Sequence, residues 1–188
     1  MMDLSQSSVA CGYSVLINTP AWLNEQAHNI RYEFIEGAKG QGTSGSNARI
    51  PLVNLITSNT EELEGKVLKS VEKIASAIHC FQVSYTGFGF SDASEAFRIN
   101  VKNEEVLISL RDLLQGELQS CQLLSYTASE GFGSPDFTAV QSQDAVVSHE
   151  FTSWSSTNYF RVESVSILKK VAASGSWELL KEVPFGRA

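Results

Sequence analysis

The sequence is poor in the residue types that most directly announce a chemistry. It has three histidines and three cysteines among 188 residues, and no run of apolar residues comes near the ~20 needed to span a bilayer. Cys11, Cys80 and Cys121 form no CxxC pair and leave an odd count, which excludes a disulfide framework and a zinc knuckle. Basic residues are also short: 14 Lys and Arg stand against 21 Asp and Glu, a net charge of −7. Duplex nucleic acid is bound mainly by neutralising phosphates, so the balance argues against it while leaving room for a small anion in a locally basic cleft. The first residues, Met1 to Ser8, lack the basic and apolar blocks of a secretory signal, and the expected location is cytoplasmic.

What remains is a globular composition, 43% apolar and 19% charged. The length suits one domain, and a chain of this size buries roughly 70% of its unfolded surface. The expected domain spans 1–188, with 1–12 a flexible N-terminus.

The pattern alternates strands and helices, with several strands next to strands. A strand over Tyr13 to Asn18 runs into Thr19-Pro20, read as an N-cap followed by a first-turn proline. Leu23, Gln26/Ala27, Ile30 and Phe34 recur at helical spacing as far as Gly37. Arg49 to Ile56 reads as a strand. A helix then carries Leu63, Val67, Val71, Ile74 and Ile78, with Glu61 and Glu62 in its first turn. Strands over Phe81 to Thr86 and Phe97 to Lys102 flank Gly87 to Asp92. A third helix from Asn103 carries Val106, Leu110, Leu113/Leu114 and Leu118. A strand at Phe137 to Gln141 and a weaker element at Ser142 to Trp154 follow. Phe160 to Lys169 and Trp177 to Phe185 read as a closing hairpin around Ala173-Ser174-Gly175. Strand–strand neighbours favour α+β over a doubly wound parallel sheet.

No cofactor is implied. Gly40-x-Gly42-x-x-Gly45 matches the dinucleotide fingerprint by letter, but the fingerprint needs a strand before it and a helix after it. Here the order is reversed, and Lys39 to Ser46 reads as a flexible loop. No GxSxG elbow occurs. His149-Glu150 has no second histidine four residues on, so no metal site is expected.

The order of elements nevertheless resembles the 2H phosphoesterase superfamily, which includes bacterial 2′–5′ RNA ligases and cyclic phosphodiesterases. The resemblance is carried by Tyr13 to Pro20, Asn47 to Leu55, Thr86 to Phe90, Phe97 to Val101, Ser134 to Val140 and Phe160 to Lys170. It implies a bilobal α+β fold, with mainly antiparallel sheets facing a central groove and helices outside. Each lobe of the family carries a His-x-Thr/Ser motif. Residues i and i+2 of a strand share a face, so an imidazole and a hydroxyl are presented together to one phosphate. Two imidazoles then serve as base and acid near neutral pH.

This chain departs from that pattern. Arg49-Ile50-Pro51 and Asp136-Phe137-Thr138 occupy the motif positions, and only Thr138 keeps the family's residue type. Arg49 cannot give up a proton at neutral pH. Asp136 is an acid only after a large upward shift. No catalytic residue is therefore carried over. Arg49, Pro51, Asp136 and Thr138 are expected to line a groove that binds a nucleotide, a phosphate-like ligand or a partner, with Arg49 and Asp136 paired across it. Ile50, Leu52, Phe137 and Ala139 are expected on the core face. The alternative is an active 2′,3′-cyclic phosphodiesterase or 2′–5′ ligase with altered cleft chemistry.

Overall fold

The structure, a computed structural model, describes residues 10–26, 49–58, 61–91, 96–123, 157–170 and 177–186. Strand β1 is Ala10–Asn18, so residues 10–12, read from the sequence as part of a flexible end, belong to it. Residues 21–26 are helical and are called α1. Next come β2 (Arg49–Ser58), α2 (Glu61–Ala77), β3 (Phe81–Ser91), β4 (Ala96–Val101) and α3 (Glu104–Ser120). Then follow β5 (Asn158–Val162), β6 (Ser164–Lys170) and β7 (Trp177–Pro184). The strands form two antiparallel sheets. Sheet one has the order β2-β1-β6-β7, and sheet two the order β4-β3-β5.

Sheet one has two unlike faces. Tyr13, Val15 and Ile17 of β1 are fully buried, as are Ile50 of β2 and Ile167 of β6. Tyr13 reaches α2 through its hydroxyl, which donates to Glu64 Oε2 at 3.3 Å. These residues therefore share the face on which the helices lie. α2 touches β6, β7 and α3, and α3 touches β2. Helix α2 buries Val67, Ser70, Val71 and Ala75, while α3 buries Leu107, Leu110, Leu114 and Leu118. Their three- and four-residue spacing is the stripe a helix needs to cover a sheet. Leu113, grouped with Leu114 by spacing alone, points outward with 48% exposure, because the stripe runs through Leu107 rather than Val106.

Two further readings of the sequence are corrected. Pro20, not Thr19, caps α1: its carbonyl accepts from Leu23 N and Asn24 N at 3.0 and 3.1 Å. The Thr19 hydroxyl donates instead to Asn24 Oδ1 at 3.0 Å. The run Phe160 to Lys169 is two strands rather than one. β5 pairs with β3 in sheet two and β6 with β1 in sheet one, the chain changing sheets at Glu163. β6 and β7 pair antiparallel as expected. The readings over Ala27 to Gly37, Lys39 to Ser46 and Phe137 to Trp154 lie outside the described residues.

Sheet two joins the core through Val83, Tyr85, Ile99, Phe160 and Val162. Its hairpin ladder runs on to Ser91↔Ala96, with an irregularity between Tyr85 and Phe88. Gly87 lies within that bulge at φ 116°, a conformation side chains resist and glycine adopts freely. Where β4 stops, Asn103 continues the ladder with its side chain. Oδ1 accepts from Ser84 N at 2.8 Å, and Nδ2 donates to Gln82 O at 2.7 Å. Trp22 of α1 stacks on Tyr85 with centroids 6.2 Å apart, tying the helix after β1 to sheet two.

Candidate functional site

The first motif position sits at the start of β2, on an edge of sheet one. Register places Arg49 opposite Asn18, Ile50 opposite Ile17 and Pro51 opposite Leu16. Ile50 and Leu52, expected on the core face, are 0% and 2% exposed. Arg49 and Pro51 therefore lie on the other face of the sheet, turned away from α2. After Leu52 the pattern changes phase: Val53 and Leu55 are the next buried pair, and the pairing slips between Pro51 and Val53. Leu52 is the extra residue of a β-bulge immediately beyond the motif, a device that re-aims the side chains at a strand end.

The same face continues into β1 and β6. Leu16 is paired with Ser166, and Ser14 with Leu168. Asn18 Nδ2 donates to Ser166 Oγ at 2.6 Å. Ser14 and Ser166 are buried at 7% and 1%, so the face carries hydroxyls inside the fold as well as at its rim. Arg49, Asn18 and Ser166 thus form a polar corner where β2, β1 and β6 meet.

Arg49 is half-buried, and its Nε is enclosed with no hydrogen-bond partner among the described residues. A buried donor left unmade costs about 1–3 kcal/mol, so this nitrogen is poised to take an acceptor. A guanidinium offers several donors in a planar fork suited to carboxylate or phosphate oxygens. It supplies charge and geometry but no transferable proton. His79, the histidine among the described residues, follows α2 and bridges to Gly186 instead. No group of three metal-ligating side chains occurs among the described residues. Asp136 and Thr138 lie outside them, so Arg49 and Pro51 are the expected site residues the structure places.

Asn18 and Ser166 are the members of this corner that motif reading missed. The signal was faint. Asn18 is a polar strand end before Thr19-Pro20, and Ser166 is a hydroxyl inside an apolar run. Only the β1–β6 pairing makes them neighbours.

No protein-family profile matches the sequence, and no curated protein matches it. Solved structures do match by fold. E. coli LigT complexed with 3′-AMP superposes with a TM-score of 0.64 at 16% identity, covering 94% of this chain and 98% of LigT. The Thermus thermophilus protein TT0787 gives 0.65 at 10% identity, covering 93% and 97%. A structure described as a phosphoesterase gives 0.61 at 17% identity, covering 93% and 98%. The chain has the 2H phosphoesterase-like α+β fold of these proteins.

Proposed function

We propose that this protein is a non-catalytic member of the 2H phosphoesterase-like group, and that it binds a small nucleotide or phosphate-like anion on the Arg49 face of sheet one. The observation that carries the reading is the enclosed Arg49 Nε, with no hydrogen-bond partner among the described residues, at the position where a motif histidine is expected. An anion held there would satisfy the guanidinium, with Asn18 and Ser166 beside it as neutral donors. The proposed site is completed by Asp136 and Thr138, the first as a counter-charge that limits how much anionic charge is accepted. Support also comes from LigT, which has been crystallised with 3′-AMP, ATP, NADP+ and phosphate. No helix among the described residues is long and apolar enough to cross a membrane. A cytoplasmic, single bilobal domain is part of the proposal.

Calorimetric titration with inorganic phosphate and with 3′-AMP tests it. Saturable binding should be seen, and Arg49→Met should abolish it without unfolding the protein. Turnover of a 2′,3′-cyclic nucleotide should be absent, since losing general acid–base groups costs about 10²–10⁴-fold. Turnover that disappears in Thr138→Ala would establish the catalytic alternative. Equal binding by wild type and Arg49→Met would remove the anion site.

A further inference from the structure

β7 is the outer strand of sheet one, hydrogen-bonded to β6 and to no other strand among the described residues. Two of its side chains stand clear of the protein: Trp177 is 44% and Leu179 61% exposed. The Trp177 indole lies across the sheet, and a Cβ built on Gly12 would meet its Cη2 at 3.3 Å. An exposed, unpaired edge strand is a template for another strand.

The bulge in β7 restricts which strand. Glu178 is opposite Lys169 and Val183 opposite Val165, so both lie on the helix face. Lys181 is also on that face, bonded to Glu72 of α2 at 2.6 Å. Leu180 packs against the core beside it. Leu179 is opposite Leu168, and Glu182 opposite Ser166, both on the other face. Trp177 and Pro184 alternate onto that same face. The order from Trp177 is therefore away, in, away, in, in, away, in, away. The pattern reads the same in both directions, with its centre between Leu180 and Lys181.

We infer that β7 pairs antiparallel with β7 of a second copy of this chain, about a two-fold axis passing between Leu180 and Lys181. Among antiparallel registers, this one matches faces along the whole strand, because a shift in either direction sets the bulge of one strand against regular alternation in the other. It places Trp177 opposite the partner's Pro184, and Leu179 opposite the partner's Glu182. Glu178 meets the partner's Val183, and Leu180 meets the partner's Lys181. No like charges are directly opposed, and Lys181 lies diagonal to the partner's Glu178 on one face. The two sheets then run on as one, and a C2 interface of this kind is self-complementary by symmetry.

Sedimentation velocity of the intact chain at rising concentration tests the inference. The expected species is a dimer of the 20.5 kDa chain, formed at concentrations up to about 100 μM. Leu179→Glu sets a glutamate against the partner's Glu182 at each of two symmetric places and should weaken the dimer about tenfold. Combining it with Glu182→Lys should restore dimerisation, a rescue that only this register provides. Circular dichroism melts of each variant confirm folding. A wild-type monomer throughout, an undiminished dimer in Leu179→Glu, or failure of the charge swap to rescue would each overturn the inference. None of these outcomes bears on anion binding at Arg49.

Discussion

Tyr85 is a large polar side chain buried in the interior of sheet two, with its ring between Trp22 and Phe160 at centroid distances of 6.2 and 6.0 Å. Burial pushes its phenol from the ordinary 10 up to about 12. The sign follows from which form the fold excludes. A phenolate is disfavoured inside, so the folded protein holds the proton more tightly than the unfolded chain. The contribution is complete below pH 10 and is lost as pH rises towards the folded value. Urea midpoints should therefore fall more steeply above pH 10 in the wild type than in Tyr85→Phe, which keeps both ring contacts. Parallel curves for the two proteins would show that the phenol titrates freely.

Among the elements, α3 closes with a feature its sequence gives little reason to expect. Gln122 adopts φ 59°, where glycine is the usual occupant. Its N–H donates to Gln119 O at 2.9 Å, and Leu123 N–H reaches back to Leu118 O at 3.1 Å. This is a Schellman closure, with Leu123 and Leu118 both buried beneath it. A left-handed residue with a Cβ costs roughly 1–2 kcal/mol, partly offset by the greater entropy glycine loses. Gln122→Gly should accordingly stabilise the protein by about 0.5–1 kcal/mol, read as a raised denaturation midpoint. A lowered midpoint would mean that the Gln122 side chain supplies more than its backbone costs. The strands show the opposite balance between sequence and structure. Helices α2 and α3 were legible from leucine and valine spacing, since burial on one side forces a 3.6-residue period. The bulge at Leu52 was not, because Ile50, Leu52, Val53 and Leu55 form a run that is apolar under either phase. The break at Glu163 was hidden in the same way: β-branched and aromatic residues continue on both sides of it, and sheet membership is a property of partners rather than of residues.

At the scale of the whole molecule, fold class was readable, while of the candidate site only the β2 end falls among the described residues. Arg49 and Pro51 stand out by resemblance to a motif, but Asn18 and Ser166 become neighbours through pairing between distant strands. The last described residues fasten the two sheets to α2. Phe185 N donates to Glu163 O at 2.8 Å, where the chain changes sheets, and Gly186 N donates to Ala75 O at 3.1 Å. The second bond adds a donor to a carbonyl of the last turn of α2, which also accepts from Ile78 N at 3.2 Å. A Cβ at Gly186 would lie 2.4 Å from Ser76 O, so the approach requires glycine. Gly186→Ala should destabilise the protein by about 1–3 kcal/mol, as overpacking does elsewhere. Amide exchange should quicken at the end of α2 and leave β3 protected. Unchanged exchange there would show that the contact is incidental.

The pairing of β1 with β6 also has a consequence in time. During synthesis β1 and β2 emerge early, and the edge of β1 that β6 will take stays unpaired until β6 leaves the ribosome, although α2 and α3, which cover the face carrying Val15, Ile17 and Ile50, are made before it. Sheet one is thus completed last although it is begun first. For much of translation its oldest strand therefore carries an open edge of the kind that pairs with other chains.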